Sequence, residues 1–169
     1  YGFLNEDNED GDEYCDDADP EPNCVTNDTD ECGVCGGFGP EENFNCEGVP
    51  LDFVFNQSSE QAFYFFYTVT IDSVEIDSND WVGAFNEDVC VGARKWDTSI
   101  CGSGVCDVPV MGTNMSELTD GYMQSGDLPN FKIYDSSNNQ YFDALASANI
   151  PWENLNINMI DTLQGGILG

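Results

Sequence analysis

The run AFYFFYTVTI at residues 62–71 consists almost entirely of aromatic and β-branched side chains. Such side chains favour an extended backbone, where they pack well on a pleated surface. No charged residue interrupts the run, so both of its faces can be covered by protein. We therefore predict a buried central strand here, at the heart of a mainly β domain that extends from residue 49 to residue 169.

Shorter runs of similar composition lie around this strand, separated by Gly, Asn, Asp and Ser turns. They occupy residues 51–56, 81–86, 89–96, 107–111, 130–135, 140–143 and 157–163. Glu87-Asp88 between two of these runs predicts a β-hairpin. The only helical turns that we expect are short, near residues 116–121 and 144–148. Many short strands at short intervals predict an antiparallel β-sandwich.

The first fifty residues have a different composition, with 16 Asp and Glu, no Lys or Arg, and five of the eight cysteines. So little apolar content cannot form a core, and the like charges repel one another. We predict that residues 1–48 are a small loop module that disulfides and calcium stabilise, followed by the β-sandwich domain at residues 49–169.

The whole chain has 33 acidic and three basic residues, giving a formal charge of −30. This charge repels nucleic acid and anionic membrane surfaces, so neither is a predicted partner. No apolar run is long enough for a transmembrane helix, and we predict no membrane insertion. The number of cysteines favours an oxidising compartment, so the predicted location is extracellular or at the cell surface.

The acidic loop EDNEDGDEYCDD at residues 6–17 has the spacing of a calcium-binding loop. Oxygen-bearing residues alternate ahead of Gly11, which permits a sharp bend, and a carboxylate occupies the twelfth position. The competing interpretation is a solvated acidic tail. The predicted ligands are Glu6, Asn8, Asp10, Asp12 and Asp17, with Asp7 and Asp16 in a shifted register. A second acidic patch at residues 28–31 adds Asp28 and Asp30 as candidate ligands.

Eight cysteines allow many disulfide pairings, and the sequence does not choose among most of them. Cys101 and Cys106 enclose the short flexible loop GSGV, and they are the one pair that we predict. Cys90 is alone in the β domain, where it is either free or joined to the N-terminal module. The pairing of the others stays open: Cys15, Cys24, Cys32, Cys35 and Cys46.

Cys32-Gly33-Val34-Cys35 has the C-x-x-C spacing of zinc knuckles and of redox dithiols. Zinc needs a second pair of ligands, but the chain has no histidine, and only Cys24 and Cys46 lie nearby. A redox dithiol needs a βαβ setting, which this loop-rich segment does not offer. We therefore predict that these are structural disulfide cysteines.

The acidic loop resembles thrombospondin type 3-like calcium repeats. The run DECGVCGGFGPEENFNCEG at residues 30–48 is similar to a Cys/Gly-rich segment that follows such repeats in large secreted surface proteins of environmental bacteria. The runs FNQSSEQAFYFF, DWVGAFNEDVCVGARKW, CDVPVMG, FKIYD and IPW resemble the β-domain that comes next in those proteins. The resemblance covers the chain apart from its two ends. It implies an extracellular, calcium-dependent adhesive or structural role and carries no catalytic residue.

The composition also argues against catalysis, and we predict that the protein is not an enzyme. The absence of histidine removes the commonest general base. No nucleophile elbow or phosphate-binding loop is present. The first suspects for a hydrolytic carboxylate are Asp80 beside Trp81 and Asp97 beside Trp96. These two tryptophans fit better as core or rim residues of one hairpin.

The apolar ends of the chain predict self-association into a homopolymer. Residues 1–4 (YGFL) and 156–169 (NINMIDTLQGGILG) have no evident place in their own core. Extended ends that add a strand to a neighbouring sheet give open, head-to-tail polymers. We therefore predict a structural subunit of an extracellular bacterial filament or surface assembly, in which cations offset the charge. Arg94-Lys95 are expected to pair with carboxylates of the same or a neighbouring subunit.

The alternative function is a carbohydrate- or surface-binding module of a secreted adhesin. Its support is a set of aromatic side chains able to stack on surface glycans if exposed: Trp81, Trp96, Tyr122, Tyr141 and Trp152. Three sequons mark glycan attachment sites at Asn27, Asn56 and Asn114. We expect the last two asparagines to lie in exposed turns.

Overall fold

The structure is a computed structural model that describes residues 8–14 and 18–166. The chain divides into two compact units, Tyr1–Leu51 and Asp52–Gly169, called here the N-terminal unit and the β unit. The division falls slightly later than the predicted boundary after residue 48. Within the described ranges, no helix has the length and apolar character that crossing a bilayer requires.

Eight strands form the β unit within the described residues. They are β1 (Gln61–Ile71), β2 (Val74–Glu75), β3 (Trp81–Asn86), β4 (Val89–Lys95), β5 (Cys106–Met111), β6 (Asn130–Asp135), β7 (Gln140–Ala146) and β8 (Ile157–Gly165). Short 3₁₀ turns lie at Leu51–Phe53, Gly102–Gly104 and Glu117–Thr119. The predicted strands match these bounds closely except at the first run.

Two secondary-structure predictions are wrong. Residues 51–56 begin with a 3₁₀ turn instead of a strand, because Phe53 turns inward and is completely buried. Its ring packs edge-on against Phe85 and Tyr141, with centroids 5.8 and 5.3 Å away. The expected helical turn at residues 144–148 is instead the end of β7, which runs on to Ala146.

All eight strands belong to one curled sheet. The order is β2-β1-β8-β7-β6-β3-β4, and β5 pairs with the part of β1 that β2 leaves open. The mainly β class is therefore confirmed, whereas a two-sheet sandwich is not confirmed. Most pairs are antiparallel, but β1 and β8 run parallel, with Phe63 opposite Ile157. The run at residues 62–71 is central, as predicted, since β1 has neighbours on both edges.

The C-terminal segment lies inside its own sheet, which corrects the expectation of a free strand-like tail. β8 is hydrogen-bonded to β1 on one edge and to β7 on the other. Ile160 and Leu163 of β8 are buried in the core. The ladder with β1 runs from Ile157 to Gly165, whereas the ladder with β7 covers residues 163–165. Residues 1–4 and 167–169, the other parts of the predicted tips, lie outside the described residues.

The concave face of the sheet holds the hydrophobic core. Alternate residues of β1 point inward, so Ala62, Tyr64 and Phe66 are buried while their neighbours are only partly covered. Loop residues complete the core, among them Trp152, whose indole Nε1 donates to Val110 O at 3.0 Å. Because side chains alternate along a strand, the inward-facing residues of β1 form one side of the core.

The two edge strands β4 and β5 face each other across a seam that has no backbone ladder within the described residues. Arg94 bridges it, donating from Nε to Asp107 O at 2.6 Å and from a terminal nitrogen to the Asp107 carboxylate at 3.1 Å. Pro109 has no N–H to offer, and its carbonyl lies against Gly92. Two partners were predicted for Arg94, a carboxylate of the same chain or one of a neighbouring subunit, and the structure shows a carboxylate of the same chain.

The close approach at the seam predicts a severe effect of Gly92→Ala. A Cβ at this position would lie 1.6 Å from Pro109 O, a backbone atom that cannot move aside alone. We expect the variant to lose about 3 kcal/mol or more of unfolding free energy in urea denaturation, as overpacking of a tight contact does.

The matched control is Gly102→Ala, because nothing lies within 4 Å of a Cβ there and no positive φ is recorded. We expect it to change the unfolding free energy by less than about 0.5 kcal/mol. Equal stability of the two variants would show that β4 and β5 are not in close contact.

Candidate metal centre

The acidic loop is folded by its own side chains over residues 8–14. Gly11 N donates to Asn8 Oδ1 at 2.7 Å, and Asn8 Nδ2 donates to Asp12 O at 2.8 Å. Asp12 N donates to Asp10 Oδ1 at 3.1 Å, and Tyr14 N donates to Asp12 Oδ1 at 2.6 Å. Gly11 has φ of 78°, which supplies the predicted bend at little steric cost. These turns bring Asp10 and Asp12 to one side of the loop.

Asp19 and Asn27 meet this loop from the following segment. Asp19 is 9% exposed, and its Oδ1 accepts a hydrogen bond from Glu21 N at 2.8 Å. Asn27 donates from Nδ2 to Asp12 Oδ2 at 3.1 Å. Carboxylate oxygens of Asp10, Asp12 and Asp19 all lie within 4.8 Å of one another. Three acidic groups thus share one partly buried position.

Three oxygens at this position are buried and have no hydrogen-bond partner: Asp10 Oδ2, Asp19 Oδ2 and Asn27 Oδ1. An unpaired buried carboxylate oxygen costs free energy, and neighbouring like charges increase that cost. A hard cation surrounded by oxygen ligands relieves both costs at once. The donor set of carboxylates and one amide oxygen fits Ca²⁺, which takes about six to eight oxygen ligands in flexible geometry.

The structure regroups the predicted ligands. Asp10 and Asp12 belong to the cluster, whereas Asn8 uses its side chain to shape the loop and is not part of the carboxylate group. Four predicted ligands and one cysteine lie outside the described residues: Glu6, Asp7, Asp16, Asp17 and Cys15. Sequence reasoning missed Asp19 and Asn27. Asp19 is the last acidic residue of the N-terminal acidic segment, so the sequence could have indicated it as a ligand. Asn27 reaches the site only in the folded chain.

Asp30, a candidate ligand of the second acidic patch, accepts three backbone hydrogen bonds inside its own loop. Its Oδ1 accepts from Cys32 N and Val34 N, both at 2.9 Å, and its Oδ2 accepts from Gly39 N at 2.8 Å. The backbone donor at Val34, followed by that at Gly39, lowers the pKa of this carboxyl below its ordinary value of 3.8. The described contacts of this carboxylate organise its own loop, and its role as a cation ligand stays a prediction.

The glycines of the CGVCGG run explain how the loop closes around Asp30. A Cβ at Gly37 would lie 2.1 Å from Asp30 Oδ2, so a side chain there would displace the carboxylate. Gly33, Gly36 and Gly39 have φ values of 78°, 67° and 78°, where other residues are strained. The run is therefore a backbone wrap around one carboxylate.

Two disulfides hold this wrap, Cys24–Cys35 and Cys32–Cys46. The prediction that the C-x-x-C cysteines are structural is consistent with this pairing. A carboxylate oxygen of Asp28 and the Sγ atoms of Cys24 and Cys35 lie within 4.8 Å of one another. Because the two sulfurs are bonded to each other, neither is a thiolate that could bind a metal. In the second patch, a cation site at Asp28 and Asp30 stays a prediction.

The same five-residue turn occurs twice in the N-terminal unit. In residues 30–34 and 45–49 the first side chain accepts from the N–H groups two and four places on. The first N–H also donates to the fifth carbonyl, at 3.0 and 2.9 Å. Both segments end in Gly-Val, so the pattern Asx-x-x-Gly-Val was a detectable signal.

In the β unit, Cys101 and Cys106 form the predicted disulfide. Cys90 is the free cysteine of the described residues. It is buried in β4, and burial raises the pKa of its thiol to about 11, so the thiolate is scarce at neutral pH. Cys90 was predicted to be either free or joined to the N-terminal module, and in the structure it is free.

The aromatic side chains considered for glycan stacking are largely inside the protein. Trp96, Tyr122 and Trp152 are each 4% exposed and cannot present a ring face to a sugar. Trp81 and Tyr141 are partly exposed. The sequence could not separate these two groups because core strands and binding faces use the same residue types.

The two suspected hydrolytic carboxylates are engaged in turns. Asp80 is buried and accepts from Ser136 N, Ser136 Oγ and Asp77 N at 2.9, 3.0 and 2.6 Å. Asp97 accepts from Ser99 Oγ at 2.5 Å and from Ser99 N at 3.1 Å, and the hydroxyl bond lowers the pKa of this carboxyl. Each therefore has a clear role in holding local backbone.

The three sequon asparagines have different surroundings. Asn27 points its amide nitrogen at Asp12. Asn56 is exposed, but its Nδ2 donates to Leu118 O at 2.9 Å. Asn114 is exposed in a turn, where its Oδ1 accepts from Ser116 N and Thr119 Oγ1. The expected exposure of Asn56 and Asn114 is thus confirmed, and whether any sequon carries a glycan stays a prediction.

Comparison with known proteins gives no match to a family model, to a curated protein or to a solved structure.

The hydrogen bonds to Asp30 predict a pH-dependent role. A depressed folded-state pKa contributes stability above pH 3.8, and that contribution is lost as the pH falls below 3.8 through the folded value. We expect Asp30→Asn to speed amide hydrogen exchange at Val34 and Gly39 at pH 7, because an amide NH₂ would oppose one of the donors.

The control is Asp28→Asn, which removes the same charge without touching these donors. We expect the difference between wild type and Asp30→Asn to shrink when both are measured by NMR below pH 3.8. Similar exchange in the two variants at pH 7 would contradict the role given to Asp30.

Proposed function

We propose that this chain is a calcium-stabilised structural subunit of an extracellular filament or surface assembly. One observation carries the calcium part of the proposal. Asp10, Asp12 and Asp19 converge within 4.8 Å, and buried carboxylate oxygens of Asp10 and Asp19 have no partner. A bound Ca²⁺ neutralises this group and joins segments that have little apolar contact of their own.

The available donors favour calcium over other common ions. Zinc prefers nitrogen and sulfur ligands, but the chain has no histidine, and the four described cysteines of this unit are in disulfides. Magnesium requires a tight octahedron and retains its waters more strongly. A loop of oxygen donors with variable spacing therefore suits calcium best.

The three described disulfides support a compartment outside the cytoplasm, since cytosolic thiols are kept reduced. An extracellular location is the specific form of this proposal. Extracellular fluid also supplies calcium at concentrations that fill weak sites. The disulfides and the calcium cluster thus point to the same environment.

The assembly part of the proposal is supported by the outward face of β1 and β8. Tyr67, Ile157 and Met159 are 56%, 67% and 47% exposed, and Phe63 and Phe65 are only partly covered. Register places Phe63 beside Ile157 and Phe65 beside Met159, so these side chains form one apolar strip. Contacts between copies through this strip bury apolar surface, whereas β8 itself is not free to leave its sheet.

The same strip supports the alternative function, a glycan-binding module of an adhesin. Aromatic side chains on a flat sheet face can stack on sugar rings, and Tyr67 is the most exposed of the three on β1. A glycan-binding module stays monomeric and gains thermal stability with an added glycan. A filament subunit sediments as large polymers at modest protein concentration.

The calcium proposal predicts a specific loss in the variant Asp19→Asn. Removing one charged, buried ligand should weaken calcium binding by about 10- to 100-fold in isothermal titration calorimetry. Asp28→Asn is the control, because it removes an equal charge outside the cluster and should leave the affinity within about threefold. No calcium binding by the wild type would overturn the proposal.

The assembly proposal is tested by negative-stain electron microscopy of the purified chain in millimolar calcium and after chelation. We expect filaments with calcium that fray or vanish when it is removed, because the charge of −30 then opposes contact between copies. Single particles in both conditions would rule out the filament and leave the adhesin module.

A further inference from the structure

Asn27 lies at the calcium cluster but belongs to a different loop from Asp10 and Asp12. Its Nδ2 donates to Asp12 Oδ2, which fixes the amide beside the carboxylates, while its buried Oδ1 has no partner. An amide oxygen is a good calcium ligand. The unpartnered oxygen is therefore placed to contact an ion held by the three carboxylates.

A chain of turns connects Asn27 to Asp19 through Cys24. Glu21 N donates to Asp19 Oδ1, Cys24 N donates to Glu21 O, and Asn27 N donates to Cys24 O, at 2.8, 2.8 and 2.9 Å. Cys24 is 2% exposed, so the middle of this chain is buried. These hydrogen bonds therefore connect Asp19 and Asn27 to the same buried cysteine, Cys24, from its N-terminal and C-terminal sides in the sequence.

The Cys24–Cys35 disulfide closes the loop that carries Asn27. Two further contacts brace that loop: Thr29 N donates to the Glu21 carboxylate at 2.9 Å, and Thr29 pairs with Cys35 in a short antiparallel bridge. Asn27 itself has φ of 51°, a conformation that the closed loop maintains. Without the disulfide, this loop has more conformations, and fewer of them present the amide oxygen to the ion.

We propose that Asn27 is a calcium ligand presented by the loop that Cys24–Cys35 closes, so that calcium binding and this disulfide stabilise each other. The inference rests on the proposed calcium site. Linkage makes the effect reciprocal: if the disulfide raises calcium affinity by some factor, calcium favours the closed disulfide by the same factor. The ion then joins the acidic loop to the disulfide-closed loop.

The ligand role is tested with Asn27→Gly and Asn27→Asp, both compatible with a positive φ. We expect Asn27→Gly to bind calcium about 10-fold more weakly by titration calorimetry. Asn27→Asp keeps an oxygen ligand but cannot donate to Asp12, so it should stay within about threefold of the wild type or bind more tightly. Equal losses in both variants would mean that Asn27 acts only as a donor to Asp12.

The coupling is tested by comparing two double variants of the full chain. Cys24→Ser/Cys35→Ser should weaken calcium binding by about 10- to 100-fold, because the ion must then order the loop itself. Cys32→Ser/Cys46→Ser removes the other disulfide of the unit, whose loop contains none of the four cluster residues, and should change affinity by less than about threefold. Equal losses in the two would overturn the coupling.

A second measurement needs only the wild-type protein. Dithiothreitol reduces each disulfide to two thiols, supplying two electrons and two protons and becoming a cyclic disulfide. Alkylation and mass spectrometry then follow each pair separately. At equilibrium, we expect calcium to raise by about 10-fold or more the ratio of reduced to oxidised dithiothreitol that leaves half of Cys24–Cys35 reduced, with Cys101–Cys106 unchanged as the internal control.

The outcomes separate the two proposals. A wild-type chain that binds no calcium overturns the proposed function. If the wild-type chain binds calcium, but the Cys24→Ser/Cys35→Ser variant binds it equally well and the reduction equilibrium of Cys24–Cys35 does not depend on calcium, only the coupling is overturned.

Discussion

A shortage of positive charge is the constraint on which this structure depends, because 33 carboxylates share three basic side chains. Backbone N–H groups donate hydrogen bonds to many of the carboxylates, which in other proteins often pair with basic side chains. Asp30, Asp80, Asp97 and Asp135 each accept such bonds within tight turns. These bonds satisfy oxygens but bring no counter-charge. Where carboxylates converge and oxygens stay unpaired, at Asp10 and Asp19, we propose that a cation supplies the missing charge.

The N-terminal unit shows how a segment with little apolar content can be ordered. Two disulfides reduce the conformations of the unfolded chain, while a repeated Asx-x-x-Gly-Val turn fixes the folded one. Calcium would strengthen the connection between the acidic loop and the disulfide-closed loop, which the hydrogen bond from Asn27 to Asp12 already joins. The stability of the unit is then a property of the ion and the disulfides together.

The β unit uses its scarce basic residues in a different way. Arg94 closes the seam between the two edge strands, and Lys132 pairs with Asp143 at 3.2 Å across adjacent strands. Because β4 and β5 cover each other at the seam, these two edges are not open to strand addition by another copy. The apolar strip on β1 and β8 is the surface that we propose for contact with another molecule. A partner bound there need not disturb the sheet.

The sequence by itself determined the class of each part. Alternating and aromatic runs identified most strands, because the alternation of side chains follows directly from the geometry of an extended backbone. The short loop between Cys101 and Cys106 identified the disulfide between these two cysteines. The acidic spacing around Gly11 located two members of the cluster, Asp10 and Asp12. Only the tertiary structure decided that β8 runs parallel to β1 and that Asn27 meets Asp12. Those contacts join residues far apart in the chain, and their positions depend on packing and disulfide closure that no local pattern encodes.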